Sequence, residues 1–286
     1  LLGLRPPAVS PPTTVPLVPA VRTPEPAPPV DAAPRDPSAL DAPTTIDDSD
    51  PRAVILRKLA KGEALYDANY AGADLSGIDF RGAALTGIQL MHAKLTKCCF
   101  DGARLASAKL AGADLEGATF VGAELGQADL SKCKLAGARF DDARLDDALF
   151  ALVDAPGASF KKASGQRVAL AQGQFRDANF DGATLSFADL SGADLAGASF
   201  TGCTMPNARL ADARGKGARF DGSDLDQASF VGAELEDASF VGTTLRTSSL
   251  ERARLEGCVF TDAKLGKAIL ARSTLERCSF TGADLE

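Results

Sequence analysis

The chain has 286 residues and a formal net charge of −7 at neutral pH. This charge argues against direct nucleic-acid binding, because such proteins need a basic surface to displace counterions. The sequence contains no apolar run of about 18 residues, so no transmembrane helix is predicted, and it shows no signal-peptide pattern. We therefore expect a cytoplasmic protein with no membrane contact. Because the sequence opens with Leu1, we also expect a fragment of a longer protein.

Residues 1–50 form a proline-rich leader. Of the 16 prolines in the chain, only Pro51, Pro156 and Pro206 lie outside this segment. Proline lacks the amide donor that a sheet requires and favours an extended polyproline II conformation. We predict a disordered or extended linker to an upstream domain. The alternative is a docking segment for an aromatic-lined groove.

Residues 51–62 are predicted to form a short helix. Asp50 is a suitable N-cap, Pro51 occupies the favoured first helical position, and Gly62 can end the helix. Apolar residues recur at helical spacing between these ends. We expect the helix to cover the open first coil of the segment that follows, with a partner-binding helix as the alternative.

Residues 63–286 repeat a five-residue pattern in which every fifth residue is large and apolar and the residue two before it is small, usually Ala. The exceptions among the large positions are Ala155, Gly165 and Gly215. A period of five fits neither a helix nor a flat strand. It fits one side of a square coil, with one large and one small residue facing inward and a glycine-rich corner between sides.

A second period, of 20 residues, predicts that four such sides close one coil. Phenylalanine returns on every fourth side without a miss, and we expect these rings to form one core column: Phe80, Phe100, Phe120, Phe140, Phe160, Phe180, Phe200, Phe220, Phe240, Phe260 and Phe280. Residues that are 20 apart should then lie about 4.8 Å apart in neighbouring coils. Dividing the segment by this period predicts about 11 coils.

Charges along one side support the same register. The residue before the large position alternates in sign from coil to coil, with one neutral member: Asp74, Lys94, Asp114, Lys134, Asp154, Gln174, Asp194, Arg214, Glu234 and Arg254. Opposite charges in neighbouring strands attract, whereas like charges repel. Each exposed pair contributes at most about 1 kcal/mol, so the ladder specifies register more than stability.

Segments such as Ala73-Asp74-Leu75-Ser76-Gly77 and Ala188-Asp189-Leu190-Ser191-Gly192 resemble the pentapeptide-repeat family, whose pattern is A-(D/N)-L-x-x. The resemblance implies an all-β solenoid, namely a right-handed quadrilateral parallel β-helix. It also implies a rigid module for protein–protein interaction or scaffolding. The layout is similar to the C-terminal parts of larger bacterial proteins such as secretion-apparatus adaptors and effectors. The alternative that the family offers is a DNA mimic that binds DNA gyrase or topoisomerase.

The repeat is irregular between Leu149 and Gln174, although its phase is kept. We expect the core there to be underfilled or rearranged, either without consequence or as a bulged side that contacts a partner. The candidate partner patch comprises Leu149, Leu152, Lys161, Lys162 and Arg167. Phe187 also points outward by phase, but a single exposed Phe is unremarkable. At the other end, an uncovered C-terminal coil would permit end-to-end association into a homo-oligomer.

The sequence offers no arrangement for catalysis, so we expect no enzyme, no cofactor and no metal. His92 is the single histidine, which argues against a histidine-based triad or a multi-histidine metal site. Most of the six cysteines occupy the small inward position, where a free thiol behaves as a small apolar group: Cys98, Cys133, Cys203, Cys258 and Cys278. Cys258 and Cys278 should stack, which makes a disulfide conceivable. Cys99 points outward and is the expected reactive thiol.

Overall fold

The computed structural model describes residues 50–286. The predicted leader therefore lies outside the described residues, apart from Asp50. Among the described residues, no helix has the length and apolar character needed to cross a lipid bilayer.

Helix α1, Pro51–Ala60, begins at an N-cap in which Asp50 accepts a hydrogen bond from the amide of Arg52 at 3.0 Å. Its side chain Ile55 is fully buried in the same core as the coils. The Arg52 guanidinium donates a hydrogen bond of 2.8 Å to the carbonyl of Ser76 in the first coil. The helix is thus attached to the first coil both by apolar packing and by a charged donor.

From Asn69 onward the chain is a β-helix built from single-residue parallel bridges, each joining residues that are 20 apart. The bridges begin with Asn69 and Gln89 and end with Lys264 and Asp284. Each five-residue side contributes one bridged residue, followed by a turn. The structure therefore confirms the predicted 20-residue period, and the chain is a solenoid of stacked coils.

Each turn between two sides has two residues, which we call the first and second turn residues. The second turn residue has a left-handed backbone throughout, from Gly62 (φ 67°) to Gly282 (φ 70°). Glycine adopts this conformation without a steric penalty, which explains why it recurs at the corners. Polar residues occupy most of the remaining corners, whereas Leu152 (φ 60°) and Phe187 (φ 59°) are bulky.

The core contains one continuous column of phenylalanine rings. All neighbouring pairs from Phe80 to Phe280 are stacked, with ring centroids 4.6 Å apart for the closest pair, Phe120 and Phe140, and 5.1 Å apart for Phe200 and Phe220. The column is buried throughout its central coils. Offset-stacked rings pack well and add to the free energy gained from burial.

The irregular stretch is rearranged rather than underfilled. Phe150 is fully buried and meets the column edge-on, with its ring centroid 5.4 Å from that of Phe140. Phe175 does the same against Phe180 at 5.6 Å. These larger rings offset the small residues at Ala155 and Gly165, since the summed volume of a coil matters more than any one position.

Gly173→Ala restores the consensus small residue, yet we expect it to destabilise the chain. A Cβ added at Gly173 would collide with the ring of Phe175, and overpacking of this kind costs about 1–3 kcal/mol. Urea unfolding followed by far-ultraviolet circular dichroism measures the loss.

Gly126→Ala is the matched control, because its new Cβ would meet only the carbonyl oxygen of Asp146, at an ordinary 3.7 Å. The double variant Gly173→Ala/Phe175→Leu should recover part of the loss. Equal stability of the Gly173→Ala chain and the natural chain would show that the ring of Phe175 does not fill this space.

Candidate functional site

The consensus Asp or Asn has a specific task in this fold. Four of the five amides in a repeat bond to backbone carbonyls, as the amides of Phe120, Gly122, Ala123 and Glu124 do. The amide of the first turn residue lacks such a partner. In many repeats the Asp or Asn two residues earlier accepts it, as Asp129 does for Ser131 at 2.9 Å. These outward carboxylates are therefore turn caps first, which leaves fewer of them free for chemistry.

A second kind of cap joins neighbouring coils and, at one corner, recurs every 40 residues. Four aspartates at that corner each accept the first turn amide of the next coil: Asp101, Asp141, Asp181 and Asp221. Three of them also accept a serine hydroxyl from that coil: Ser159 to Asp141, Ser199 to Asp181 and Ser239 to Asp221. Asp146 and Asp226 each accept the first turn amide of the next coil at another corner. The sequence analysis missed these inter-coil caps, although the 40-residue recurrence of Asp at one corner was a visible signal.

Asp141 shows the electrostatic effect of such a cap. Partial burial alone would raise the pKa of its carboxyl, but hydrogen bonds from Ser159 and Arg139 and from the amide of Lys161 outweigh burial and lower the pKa below its ordinary value. A carboxyl whose pKa is lower in the folded chain stabilises the fold above its unfolded pKa of about 3.9. That contribution is lost as the pH falls through the folded pKa.

The residues of the predicted charge ladder do form one column. Some of their closest ion pairs, however, are with residues outside that column. Lys94 lies 3.4 Å from Asp74, as predicted. Asp194, in contrast, pairs with Arg176 at 2.6 Å. Arg254 reaches Glu236 at 2.7 Å, closer than Glu234 at 3.7 Å. The charges on this face are thus largely compensated by neighbours of opposite sign.

The five residues of the predicted partner patch do not lie on one face of the structure. Leu149 (42% exposed) and Leu152 (50% exposed) lie on one face and its corner. Lys162 is in the turn ten residues after Leu152, which is half a coil away. Lys161 and Lys162 therefore occupy the diagonally opposite corner, so the patch is wrong in this respect. Linear proximity in the sequence misled the prediction.

One face of the rod has an uncharged centre, and we name it the leucine face. It is defined by the outward column Asn69, Gln89, Lys109, Asp129, Leu149, Ala169, Asp189, Arg209, Ser229, Ser249 and Ile269. Leu152 lies at one edge of this face, and Arg167 and Phe187 lie at the other. Arg167 is held by Asp147 in a two-pronged ion pair of 2.7 and 2.8 Å.

Phe187 is the residue on this face that the sequence analysis undervalued. Its side chain is 54% exposed, and its backbone is left-handed, which is uncommon for a bulky residue. Leu152 combines the same two properties. Counting in steps of 20 from Asp147 and Arg167 would have placed Phe187 at the edge of the leucine face. Exposed apolar side chains held in strained backbone are a reason to expect a contact there.

The surface recesses among residues 50–286 are shallow and lined by paired charges. One of them, with a volume of about 370 Å³, lies between the end of α1 and the first coils and is lined in part by Leu59, Glu63 and Arg81. Arg81 is already bound to Asp79 at 2.7 Å. In the same part of the chain, no three His, Cys, Asp or Glu residues are grouped in a way that could hold a metal ion.

The cysteines are free thiols, and most of them are buried. Burial raises the pKa of Cys133 and of Cys203 to about 12, and that of Cys98 to about 11. Each of the five inward-facing thiols donates to a carbonyl of the preceding coil, as Cys258 does to Leu235 at 2.9 Å. Such thiols are inert because the reactive form is the thiolate. Cys99, in contrast, accepts a hydrogen bond from the Thr119 hydroxyl.

We expect Asp141→Asn to lower the free energy of unfolding by about 1–2 kcal/mol at pH 7, because charge-assisted hydrogen bonds are lost. The difference from the natural chain should shrink as the pH falls through the lowered folded pKa of Asp141, because the natural carboxyl then becomes protonated as well. Urea unfolding at several pH values measures it. Asp142→Asn removes the same charge from the second residue of the same turn and serves as the control. A difference that is independent of pH would contradict the assignment.

We expect Cys99 to react first with iodoacetamide at pH 8, because it is only half-buried and lies on the outer side of the coil. Cys133, Cys203 and Cys258 should react only after unfolding. Mass spectrometry of digested, time-quenched samples locates the label. The Cys99→Ala variant should lose the fast phase, and equal rates for Cys99 and Cys133 in the folded chain would refute the expectation.

Comparison with known proteins agrees with this architecture. HetL, a pentapeptide repeat protein involved in heterocyst differentiation regulation from the cyanobacterium Nostoc sp. strain PCC 7120, is 27% identical. The match covers 80% of this chain and 94% of HetL, with a TM-score of 0.55. A trypsin-treated form of QnrB1, a plasmid-mediated fluoroquinolone resistance protein, is 19% identical over 77% of this chain and 92% of its own, with a TM-score of 0.43. No curated protein matches this chain.

The family model described as pentapeptide repeats matches in 8 copies, over residues 64–96, 98–137, 166–197, 178–214, 193–232, 216–252 and 258–286. The longest unmatched stretch within the coils, 138–165, overlaps the region where Phe150 and Ala155 alter the core. Since the matched residues make up well over half of the sequence, the chain belongs to the pentapeptide-repeat family.

Proposed function

We propose that this chain is a non-enzymatic rod that binds another protein and acts as an interaction or scaffold module. In this proposal the rod is a right-handed quadrilateral β-helix of about 11 coils, with α1 as its end cap. It forms the C-terminal part of a larger bacterial protein of the cytoplasm, such as a secretion-apparatus adaptor or effector. The observation that carries the proposal is the group of exposed apolar side chains on the leucine face, Leu149, Leu152 and Phe187.

The rigidity of the rod supports a scaffold role. Its core residues are almost all fully buried, and its rings stack in one uninterrupted column. Inter-coil caps such as Asp181 to Thr201, at 3.0 Å, tie one coil to the next at the surface. A surface built in this way holds its side chains in place before binding, which lowers the entropy lost on association.

The acidic side chains are already used in hydrogen bonds and ion pairs, which supports a non-enzymatic role. A general acid or base needs a shifted pKa within a concave site. Here the outward carboxylates cap turns or pair with bases, as Asp189 does in accepting the Ser191 amide at 3.0 Å. Where the pKa of such a carboxyl is shifted, as in Asp79, hydrogen bonds from Arg81 lower it, which suits a permanent anion.

The charge distribution favours a protein partner over DNA mimicry. A mimic of a duplex needs a strongly negative surface. On this rod the acidic side chains of the ladder alternate with basic ones, and pairs such as Arg176 with Asp194 neutralise each other. The leucine face adds an apolar contact area that binding by charge alone does not require.

Photo-crosslinking from the leucine face tests the proposal. Benzoylphenylalanine is introduced at Phe187 in the full-length protein, expressed in its source organism. Irradiation should produce a discrete adduct with a specific protein, which mass spectrometry identifies. Thr247 occupies the same turn position three coils further on, is exposed, and has the same left-handed backbone (φ 54°), so it provides the matched control.

Equal labelling from both positions, or no adduct from Phe187, would contradict the proposal.

A gyrase supercoiling assay addresses the alternative function, DNA mimicry. Inhibition or drug protection at low micromolar protein would favour the DNA mimic, whereas unchanged supercoiling is the result we expect.

A further inference from the structure

The leucine face has the composition of a self-complementary interface. Along its central column, two uncharged residues, Leu149 and Ala169, are flanked on both sides first by an acid and then by a base. Asp129 and Lys109 lie toward the N-terminal end, and Asp189 and Arg209 lie toward the C-terminal end: the full order is Lys109, Asp129, Leu149, Ala169, Asp189 and Arg209. An apolar centre with a charged periphery is the usual anatomy of a protein interface.

Along the edge of this face next to Leu152, the first turn residues are uncharged over many coils, although Lys132 and Asp212 occupy second turn positions of the same corner. These first turn residues are Ala71, Met91, Ala111, Ser131, Ala151, Ala171, Ser191, Ala211 and Val231. Small residues in this column permit close approach of a second flat surface, and Leu152 projects from the same corner at 50% exposure.

We propose that the leucine face binds a second copy of this chain, with the two rods antiparallel and related by a two-fold axis that passes beside Leu149. The inference rests on the proposed function, because it names the partner of that same face. The axis lies between the two faces and perpendicular to the rods. Leu149 then meets the partner's Leu149, and Leu152 meets the partner's Leu152, so that the apolar side chains gather at the axis. Such an interface is isologous and closes at two copies.

The charges select this register. With the axis at Leu149, Lys109 lies opposite the partner's Asp189, and this pair occurs twice. Opposite charges in facing positions favour a pairing, whereas like charges oppose it. Asp147 meets the partner's Asp147, but each is already neutralised by its own Arg167 at 2.7 Å.

Other registers bring like charges together or leave the leucines facing charges. Placing the axis half a coil further on sets Asp129 opposite the partner's Asp189 and Lys109 opposite the partner's Arg209. Placing it at Ala169 sets Leu149 against the partner's Asp189. Parallel rods would set every charge opposite its own copy. The antiparallel register at Leu149 therefore joins the leucines without an uncompensated repulsion in the central column.

The overlap is large enough for a weak and specific dimer. At one end of the overlap Asn69 lies opposite the partner's Ser229, and at the other end Ser229 lies opposite the partner's Asn69. The overlap spans nine coils. At about 4.8 Å per coil and a face width of about 10 Å, it covers roughly 400 Å² of each rod. The two rods together bury roughly 800 Å², which is below the roughly 1,200–2,000 Å² of stable specific interfaces and typical of weak, transient ones. We therefore expect a dissociation constant in the micromolar range and an association that weakens as salt screens the charges.

Sedimentation equilibrium of the full chain, from about 1 to 300 µM in low salt, tests the inference. The natural chain should shift from 29.5 kDa toward twice that mass. Lys109→Asp and Asp189→Lys should each weaken association more than tenfold, because like charges then face one another. An equimolar mixture of the two variants should associate like the natural chain, since both facing pairs become attractive again.

Lys132→Asp is the matched control, because it makes the same charge change on the same face but lies opposite the partner's uncharged Gln172. It should leave the association unchanged. Leu149→Ser should weaken it more than tenfold. Asp189 also caps Ser191, so circular dichroism checks that Asp189→Lys is folded. If this variant unfolds, a zero-length carbodiimide crosslink between Lys109 and the partner's Asp189 in the natural chain replaces it.

A natural chain that stays monomeric at 300 µM would overturn the inference, as would a dimer that Lys109→Asp does not weaken or a mixture that does not restore association. Failure here is distinguishable from failure of the proposed function. A monomeric rod that still gives a specific adduct with a different protein from Phe187 refutes the dimer alone.

Discussion

The register of backbone hydrogen bonds between coils is the constraint on which the rest of the structure depends. Each bridged residue is paired with the residues 20 before and 20 after it. Its amide and carbonyl bond to the two residues that flank its partner in the preceding coil, as those of Glu124 do to Ala103 and Leu105, so every side chain stands over the equivalent one in the next coil. Stacked phenylalanines, paired charges and corner glycines all follow from this single spacing. A one-residue insertion would move the core side chains of every later repeat to the surface, because both inward positions of the five-residue repeat are followed by outward ones. This explains why the irregular stretch changes residue identity but not repeat length.

The backbone hydrogen bonds also explain why Asp or Asn recurs in the five-residue repeat. Because the first turn amide of each repeat has no backbone acceptor, an Asp or Asn two residues earlier completes the set, as Asn69 does for Ala71 at 3.0 Å. The inter-coil aspartates fill the same need from the coil before. Acidic residues in this chain therefore belong mainly to the fold, and functional specificity comes from the positions that the fold leaves unassigned. Leu149, Leu152 and Phe187 occupy such positions.

The periods of five and 20 were sufficient to predict the solenoid, the ring column and the pairing of Asp74 with Lys94, because all three depend only on residue spacing. What spacing does not encode is the reach of long side chains, so the diagonal pair of Arg176 with Asp194 was not foreseen. The sequence also did not reveal that Phe150 fills the space left by small residues such as Ala155. That compensation depends on the summed side-chain volume of a coil, which spacing does not encode. The candidate patch failed in part because neighbours in sequence, such as Leu152 and Lys162, lie at opposite corners of a square cross-section.

The inter-coil caps set the step by which such a rod can change in length. Asp101, Asp141, Asp181 and Asp221 alternate at their corner with residues that are not acidic, namely Val121, Lys161, Thr201 and Val241. Loss of one coil, for example 121–140, would place Asp101 directly beneath Asp141, with two carboxylates about 4.8 Å apart. Loss of two coils keeps the alternation intact. A change in length of 40 residues therefore preserves the alternation at this corner, whereas a change of a single coil breaks it.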